Sequence, residues 1–93
     1  MEAQLVSEKC DPVTLAKETI EELIEAKRKL EETMHCVFSR HDFAIYGKLE
    51  SVKYSIEALI DAIAYDINLR YRPKIWIDDL YTEVRIVDKT PEE

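Results

Sequence analysis

The residues of this chain best suited to chemistry are His35, Cys36 and His41, which fall within seven positions of one another, with a second thiol at Cys10. A set of sulfur and nitrogen donors of this kind can hold zinc tetrahedrally. The spacing argues against it. Adjacent residues point about 100° apart on a helix, whereas paired ligands stand three or four residues apart or in a knuckle turn. The same residues can be read as a thiol and its base, His41 drawing the proton from Cys36. Neither a third orienting group nor a glycine-rich oxyanion loop accompanies them. Glu21, Glu22, Glu25 and Glu32 suggest a carboxylate metal cluster of the helical-bundle type, but those clusters project into a core and these acids fall on a polar face. No catalytic residue, metal ligand or cofactor site is therefore assigned.

Two further features carry interaction chemistry. Arg70, Tyr71, Arg72, Lys74 and Trp76 form a basic and aromatic cluster in an otherwise acidic chain. Arginine and tryptophan are favoured anchors at interfaces. Cations at the C-terminal end of a helix also complement its dipole, and a tryptophan also serves as a core filler. Lys27 interrupts an apolar stripe. Its stem can lie along a helix seam while the ammonium reaches the rim, and a lone polar seam residue can fix helix register.

The elements that position these residues follow from periodicity. Asp11-Pro12 is a helix start, because Asp caps and proline suits the first helical position. Ala16, Ile20, Leu23, Lys27, Leu30, Met34 and Val37 then recur at alternating spacings of four and three, predicting a helix over 12–38 with a charged outer side. A second stripe, Ile45, Leu49, Val52, Ile56, Leu59, Ile60, Ile63 and Ile67, predicts a helix over 43–71. The two stripes are out of phase, so the chain must break near Ser39 to Asp42, where Asp42 can cap a restart. Short connections make antiparallel neighbours, hence a helical hairpin whose arms span about 40 Å at 1.5 Å per residue.

Gly47, Ser51, Ser55, Ala58 and Ala62 line a second face of the later helix, flanked by Tyr54 and Tyr65, while Glu50, Glu57, Asp61 and Asn68 form a polar ridge. The small-residue face implies a third layer, supplied by the C-terminal segment or by the matching surface of a second copy. Residues 74–88 are ambiguous. Ile77, Leu80, Val84 and Val87 fit a short helix, and Ile75-Trp76-Ile77 with Val84-Arg85-Ile86-Val87 fit a β-hairpin that lacks the glycine a tight turn wants, so the helix is the reading adopted. Residues 1–10 read as a flexible N-terminus and 89–93 as a polar tail. The fold class is all-α, mainly α: one domain over residues 1–93, a long antiparallel two-helix hairpin with a short C-terminal third element, completed as a bundle by dimerisation.

Composition limits the function classes. One glycine among 93 residues disfavours an all-β fold. A net charge of −7 repels phosphate backbones and anionic lipid, which argues against nucleic-acid and membrane partners. No apolar run approaches the ~20 residues of a membrane span, and the first residues do not resemble a signal peptide, so a cytoplasmic protein with free thiols is expected. The function expected is a non-enzymatic protein–protein interaction or regulatory module, homodimeric, with Tyr54, Tyr65, Arg70, Arg72 and Trp76 as partner-binding residues. The alternatives are an acidic decoy that inhibits a basic nucleic-acid-binding protein, and a small metal or thiol enzyme using Cys36 and His41.

Overall fold

The computed structural model describes residues 10–87. The N-terminal arm expected over residues 1–10, apart from Cys10, and the tail expected over 89–93 lie outside the described residues. The order of elements is α1 (Pro12–Ser39), α2 (Phe43–Arg70), β1 (Lys74–Ile77) and β2 (Val84–Val87).

Helix α1 starts as its sequence demands. Pro12 occupies the first turn, and the carbonyl of the extended N-cap residue Asp11 accepts from Leu15 N–H at 2.9 Å. The Asp11 carboxylate leaves the backbone uncapped and accepts instead from Thr14 Oγ1 at 2.7 Å. Helix α2 has the side-chain cap that α1 lacks, with Asp42 accepting from Ile45 N–H at 3.3 Å.

The corner between the helices is a Schellman motif built without glycine. Asp42 N–H donates to Val37 O and His41 N–H to Phe38 O, both at 2.9 Å, satisfying two carbonyls of the last turn. This closure places His41 at φ 62°, in the left-handed region where a Cβ is strained. Phe38 packs edge-on against Phe43 and Tyr46, with centroids 5.5 and 5.3 Å apart, and holds the turn from outside. Replacing His41 by glycine removes the Cβ conflict. We expect His41→Gly to raise stability by about 0.5–1 kcal/mol in urea titrations, after the cost of a more flexible unfolded chain.

The seam of α1 is the one its spacing predicts. Val13, Ala16, Ile20, Lys27 and Met34 are buried, and Ile20 is sealed from solvent completely. The α2 side differs from the expectation. Ile56, Ile60, Ile63 and Ile67 pack into the core, but Ile45, Val52 and Leu59 stand 44%, 47% and 52% exposed. Helix α2 is rotated so that Ile60 and Ala64 lie at the centre of its contact and Asn68 and Asp61 of the polar ridge face the C-terminal segment.

The reason is the C-terminal segment, which corrects two expectations. Residues 74–87 form an antiparallel β-hairpin and no third helix, so the fold is mainly helical but not all-α. Ile75 pairs with Ile86 and Ile77 with Val84, all four on the core side, while Trp76 pairs with Arg85 on the outer side. The alternation of period two puts Ile75 and Val84 in the buried core and packs the half-buried Ile77 and Ile86 against it. The turn manages without glycine because Asp78 replaces it. Its Oδ1 accepts from Thr82 N–H and Glu83 N–H, both at 2.8 Å, its Oδ2 accepts from Thr82 Oγ1 at 2.6 Å, and Tyr81 takes the positive φ of 57°.

The hairpin also docks where the sequence reading did not place a third layer. The small residues Gly47, Ser51, Ser55, Ala58 and Ala62 are all exposed, and a Cβ at Gly47 would meet nothing within 4 Å. The hairpin packs instead along the polar ridge. Asn68 Oδ1 accepts from Ile75 N–H at 2.8 Å and its Nδ2 donates to Ile75 O at 3.0 Å, so one side-chain amide acts as a third strand for β1. Tyr81 Oη donates to Asp61 at 2.5 Å.

Candidate functional site

Where the hairpin loop crosses the helices, the buried ammonium of Lys27 is shared among four acceptors. Its Nζ donates to Leu80 O at 3.1 Å and approaches Tyr81 O at 3.5 Å, with Glu31 at 3.4 Å and Glu57 at 3.7 Å. Lys53 reaches the same Glu31 at 3.5 Å. These groups line an open cleft of about 370 Å³ together with Asp79 and Thr82. Lys27, Lys53, Glu31 and Glu57 in it each have an opposite neighbour. The chemistry of the cluster is attachment: Lys27 straps the loop of the β-hairpin to both helices, which goes beyond the register-fixing role suggested by its place in the stripe.

Two groups on that loop titrate away from their ordinary values. The hydroxyl and backbone N–H groups aimed at Asp78 favour its ionised form, and its carboxyl is held down at about 2. Hydrogen bonding to Asp61, then burial, pushes the Tyr81 phenol up to about 12. Asp78 binds a proton more weakly in the folded chain than in the unfolded one. Its contribution is therefore complete above the ordinary carboxylate value of 3.8 and is lost as pH falls through about 2. Asp78→Asn keeps one oxygen acceptor but cannot ionise. We expect it to flatten the slope of stability against pH between about 4 and 2, read from urea titrations followed by Trp76 fluorescence. For Tyr81 the sign is opposite: its contribution is complete below pH 10.0 and is lost as pH rises through about 12.

The residues first considered for catalysis or metal binding do not converge. Cys10 and Cys36 are free and exposed, and His35 and His41 are exposed on either side of the α1 terminus. Glu32 and His35 stand at the i, i+3 spacing of bundle carboxylate sites, a pair the sequence reading passes over, and both face solvent. Among the described residues no group of three or more His, Cys, Asp and Glu is arranged to hold a metal ion. A shallow cleft of about 320 Å³ beside His35 is lined by Met34, Phe38, Tyr46, Glu31 and Lys53.

The partner-binding candidates occupy two places. Tyr54 and Tyr65 are 57% and 65% exposed on the side of α2 that carries the small residues. Arg70 and Arg72 are exposed at the open end of the helix pair, and Trp76 is half-buried on the outer face of the hairpin beneath the Arg85 guanidinium, 4.4 Å from its ring centroid. The structure brings Trp76 to Arg85 rather than inserting it into the core.

A third surface was legible only in part. Ile45, Val52 and Leu59, seven residues apart, lie on one flank of α2, and the half-buried Leu23, Leu30 and Val37, also seven apart, lie on the corresponding flank of α1. In an antiparallel pair of right-handed helices, equivalent flanks face the same way. Both sets therefore open on one side, opposite the β-hairpin, with Ala26, Thr19 and Thr33 between the α1 leucines and solvent. The centre of this face carries no charge. The sequence reading assigned all six apolar residues to the seam, because periodicity reveals a stripe but not where its middle lies.

Among the described residues no helix is long and apolar enough to cross a membrane. No protein-family model matches the chain, and no curated protein or solved structure matches it.

Proposed function

We propose that this chain is a non-enzymatic protein–protein interaction or regulatory module of helical-hairpin type, working as a homodimer in the cytoplasm. The carrying observation is the uncharged apolar face opposite the β-hairpin, where Ile45, Val52 and Leu59 remain about half exposed after the chain has folded. Two helices closed on one side by a hairpin and left apolar on the other are half of a four-helix arrangement. A face of this kind, with polar residues at its rim, is a protein-contact surface. Tyr54, Tyr65, Arg70, Arg72 and Trp76 lie outside it and remain free to contact a different protein while two copies are joined.

The alternative, an acidic decoy for a basic nucleic-acid-binding protein, draws on the net charge of −7. The acids of α1 are already interleaved with cations: Lys17 pairs with Glu21, Arg28 with Glu25 and Lys29 with Glu32. That pairing leaves less unopposed acid to offer a basic surface, and favours the first reading.

Leu59→Glu places a charge on the face at an exposed position and leaves the seam intact. Sedimentation equilibrium of the unaltered chain is expected to give a dimer at micromolar concentration, and of Leu59→Glu a monomer with unchanged helical circular dichroism. An unaltered chain that stays monomeric at high micromolar concentration overturns the homodimeric reading.

A further inference from the structure

Where the end of α2 meets the β-hairpin, a chain of net charge −7 gathers Arg70, Arg72, Lys74 and Arg85. On α1 the cations Lys17, Lys27, Arg28 and Lys29 each have a carboxylate beside them. Among the described residues no carboxylate lies within ion-pair distance of Arg70, Arg72 or Lys74. Part of this charge serves the fold. Arg70 lies in the last turn of α2, and Lys74 Nζ donates to Asn68 O at 3.4 Å, so both complement the negative end of the helix. Arg72 and Arg85 lie outside that helix, both exposed, and their charge is surplus to it.

The outer face of the hairpin gives the surplus a shape. Lys74 and Trp76 of β1 and Arg85 and Val87 of β2 alternate with the core-facing residues, Lys74 opposite Val87 and Trp76 opposite Arg85. The Arg85 guanidinium, 4.4 Å from the Trp76 ring centroid, is a planar fork of N–H donors held on an apolar wall. Its carboxylate partner within the chain is Glu83, reached through Nε at 3.4 Å with both side chains 58% exposed. An exposed pair of this kind is weak and yields to a carboxylate that meets the fork squarely.

We infer that this end of the molecule binds an acidic segment of another protein, one in which carboxylates flank an apolar residue. The apolar side chain rests on Trp76 and Val87, one carboxylate takes the fork of Arg85, and the others meet Lys74, Arg72 and Arg70. The inference rests on the reading of this chain as an interaction module and gives the chemistry of the partner. Two observations favour a peptide over a nucleic-acid strand. A strand continues beyond the patch, where the exposed Asp66, one turn before Arg70, and the exposed Glu18 of α1 repel phosphate. The Trp76 ring is already stacked, so a base finds no platform without displacing Arg85.

The test titrates the intact chain with the end-blocked peptide Glu-Glu-Leu-Glu-Glu, followed by the fluorescence of Trp76, the sole tryptophan, and by calorimetry. Saturable binding is expected, weakening about fivefold from low to physiological salt, and Gln-Gln-Leu-Gln-Gln is expected not to bind. Arg70→Glu with Arg72→Glu, both at exposed positions, is expected to weaken the acidic peptide at least about tenfold with helical circular dichroism unchanged. Arg85→Lys keeps the charge but loses the fork, and is expected to weaken it about threefold. Should the double reversal disturb the circular dichroism, Arg72→Gln with Arg85→Lys carries the same expectation of weakened binding. Absence of saturable binding, or an affinity indifferent to these substitutions, overturns the proposal. An oligothymidylate of equal charge that binds more tightly than the peptide overturns it in favour of nucleic acid. Sedimentation keeps the two readings apart: a dimer that ignores the peptide overturns this proposal alone, and a monomer that binds it overturns the homodimeric reading alone.

Discussion

Ile60→Ala is expected to cost about 3–4 kcal/mol. Ile60 is fully sealed from solvent and belongs to the one cluster that unites both helices with the hairpin, through Ile20 of α1 and Ile75 and Val84 of the strands. Removing three buried carbons forfeits their transfer free energy and leaves a cavity that two rigid helices fill poorly, which puts isoleucine-to-alanine changes at about 2–5 kcal/mol. Few domains of this size have more than about 5–10 kcal/mol in hand. Urea titration of Ile60→Ala should therefore show a markedly lowered midpoint, while Leu59→Ala, its half-exposed neighbour, should lose about 1 kcal/mol or less. Equal losses at the two positions would mean that α2 is rotated relative to the structure described above.

The second large effect belongs to Lys27. Its side chain is only 6% exposed, and Lys27→Met replaces the ammonium by an apolar end of similar length. The change orphans the Leu80 carbonyl and leaves Glu57, itself 21% exposed, without its cation. Breaking a buried pair from one side costs about 3–5 kcal/mol, and the partial exposure of Glu57 and Glu31 brings the expectation to about 2–3 kcal/mol. Adding Glu57→Gln should return part of that loss, because the orphaned carboxylate goes with it. Trp76 fluorescence should report the effect ahead of helical circular dichroism, since the strap holds the hairpin and not the helix corner. A Lys27→Met chain as stable as the original would show that the strap contributes nothing.

These two residues also illustrate what the sequence discloses. Ile60 and Lys27 both stand in the stripes that spacing picks out, and the helix limits fall within one residue of those predicted. The break at Ser39 to Asp42 was readable because a phase change in the stripe is visible along the chain. The β-hairpin was not readable in the same way. Its strands are four residues each, too short for periodicity to separate from a helical turn, and the feature that replaces the missing glycine is a single aspartate whose partners lie four and five residues onward. The polar ridge misled for a related reason. Asp61, Glu57 and Asn68 look like a solvated edge until Tyr81, Lys27 and Ile75 arrive from distant parts of the chain to use them. Polarity along a helix says only that a partner must be wet or hydrogen-bonding, and here the partner is the protein's own ribbon.

The apolar face shows the complementary difficulty. Seven-residue spacing identifies Ile45, Val52 and Leu59 as a ridge, but whether a ridge is inside or outside depends on which flank a third element chooses. Nothing local in α2 records that choice; it is recorded in Asn68 and Asp61, which accept the ribbon on one side and so consign the other side to solvent or to another molecule.

The placement of the ribbon has one more consequence. Covered on one side by the ribbon, the helix pair keeps its exposed apolar residues Ile45, Val52 and Leu59 on a single side. Peel the ribbon away and Ile20, Ile60 and Ala64 lose their lid, so the slab becomes greasy on both sides, and slabs of that kind stack without limit. The Lys27 strap thus confines the greasy surface to one side of the slab.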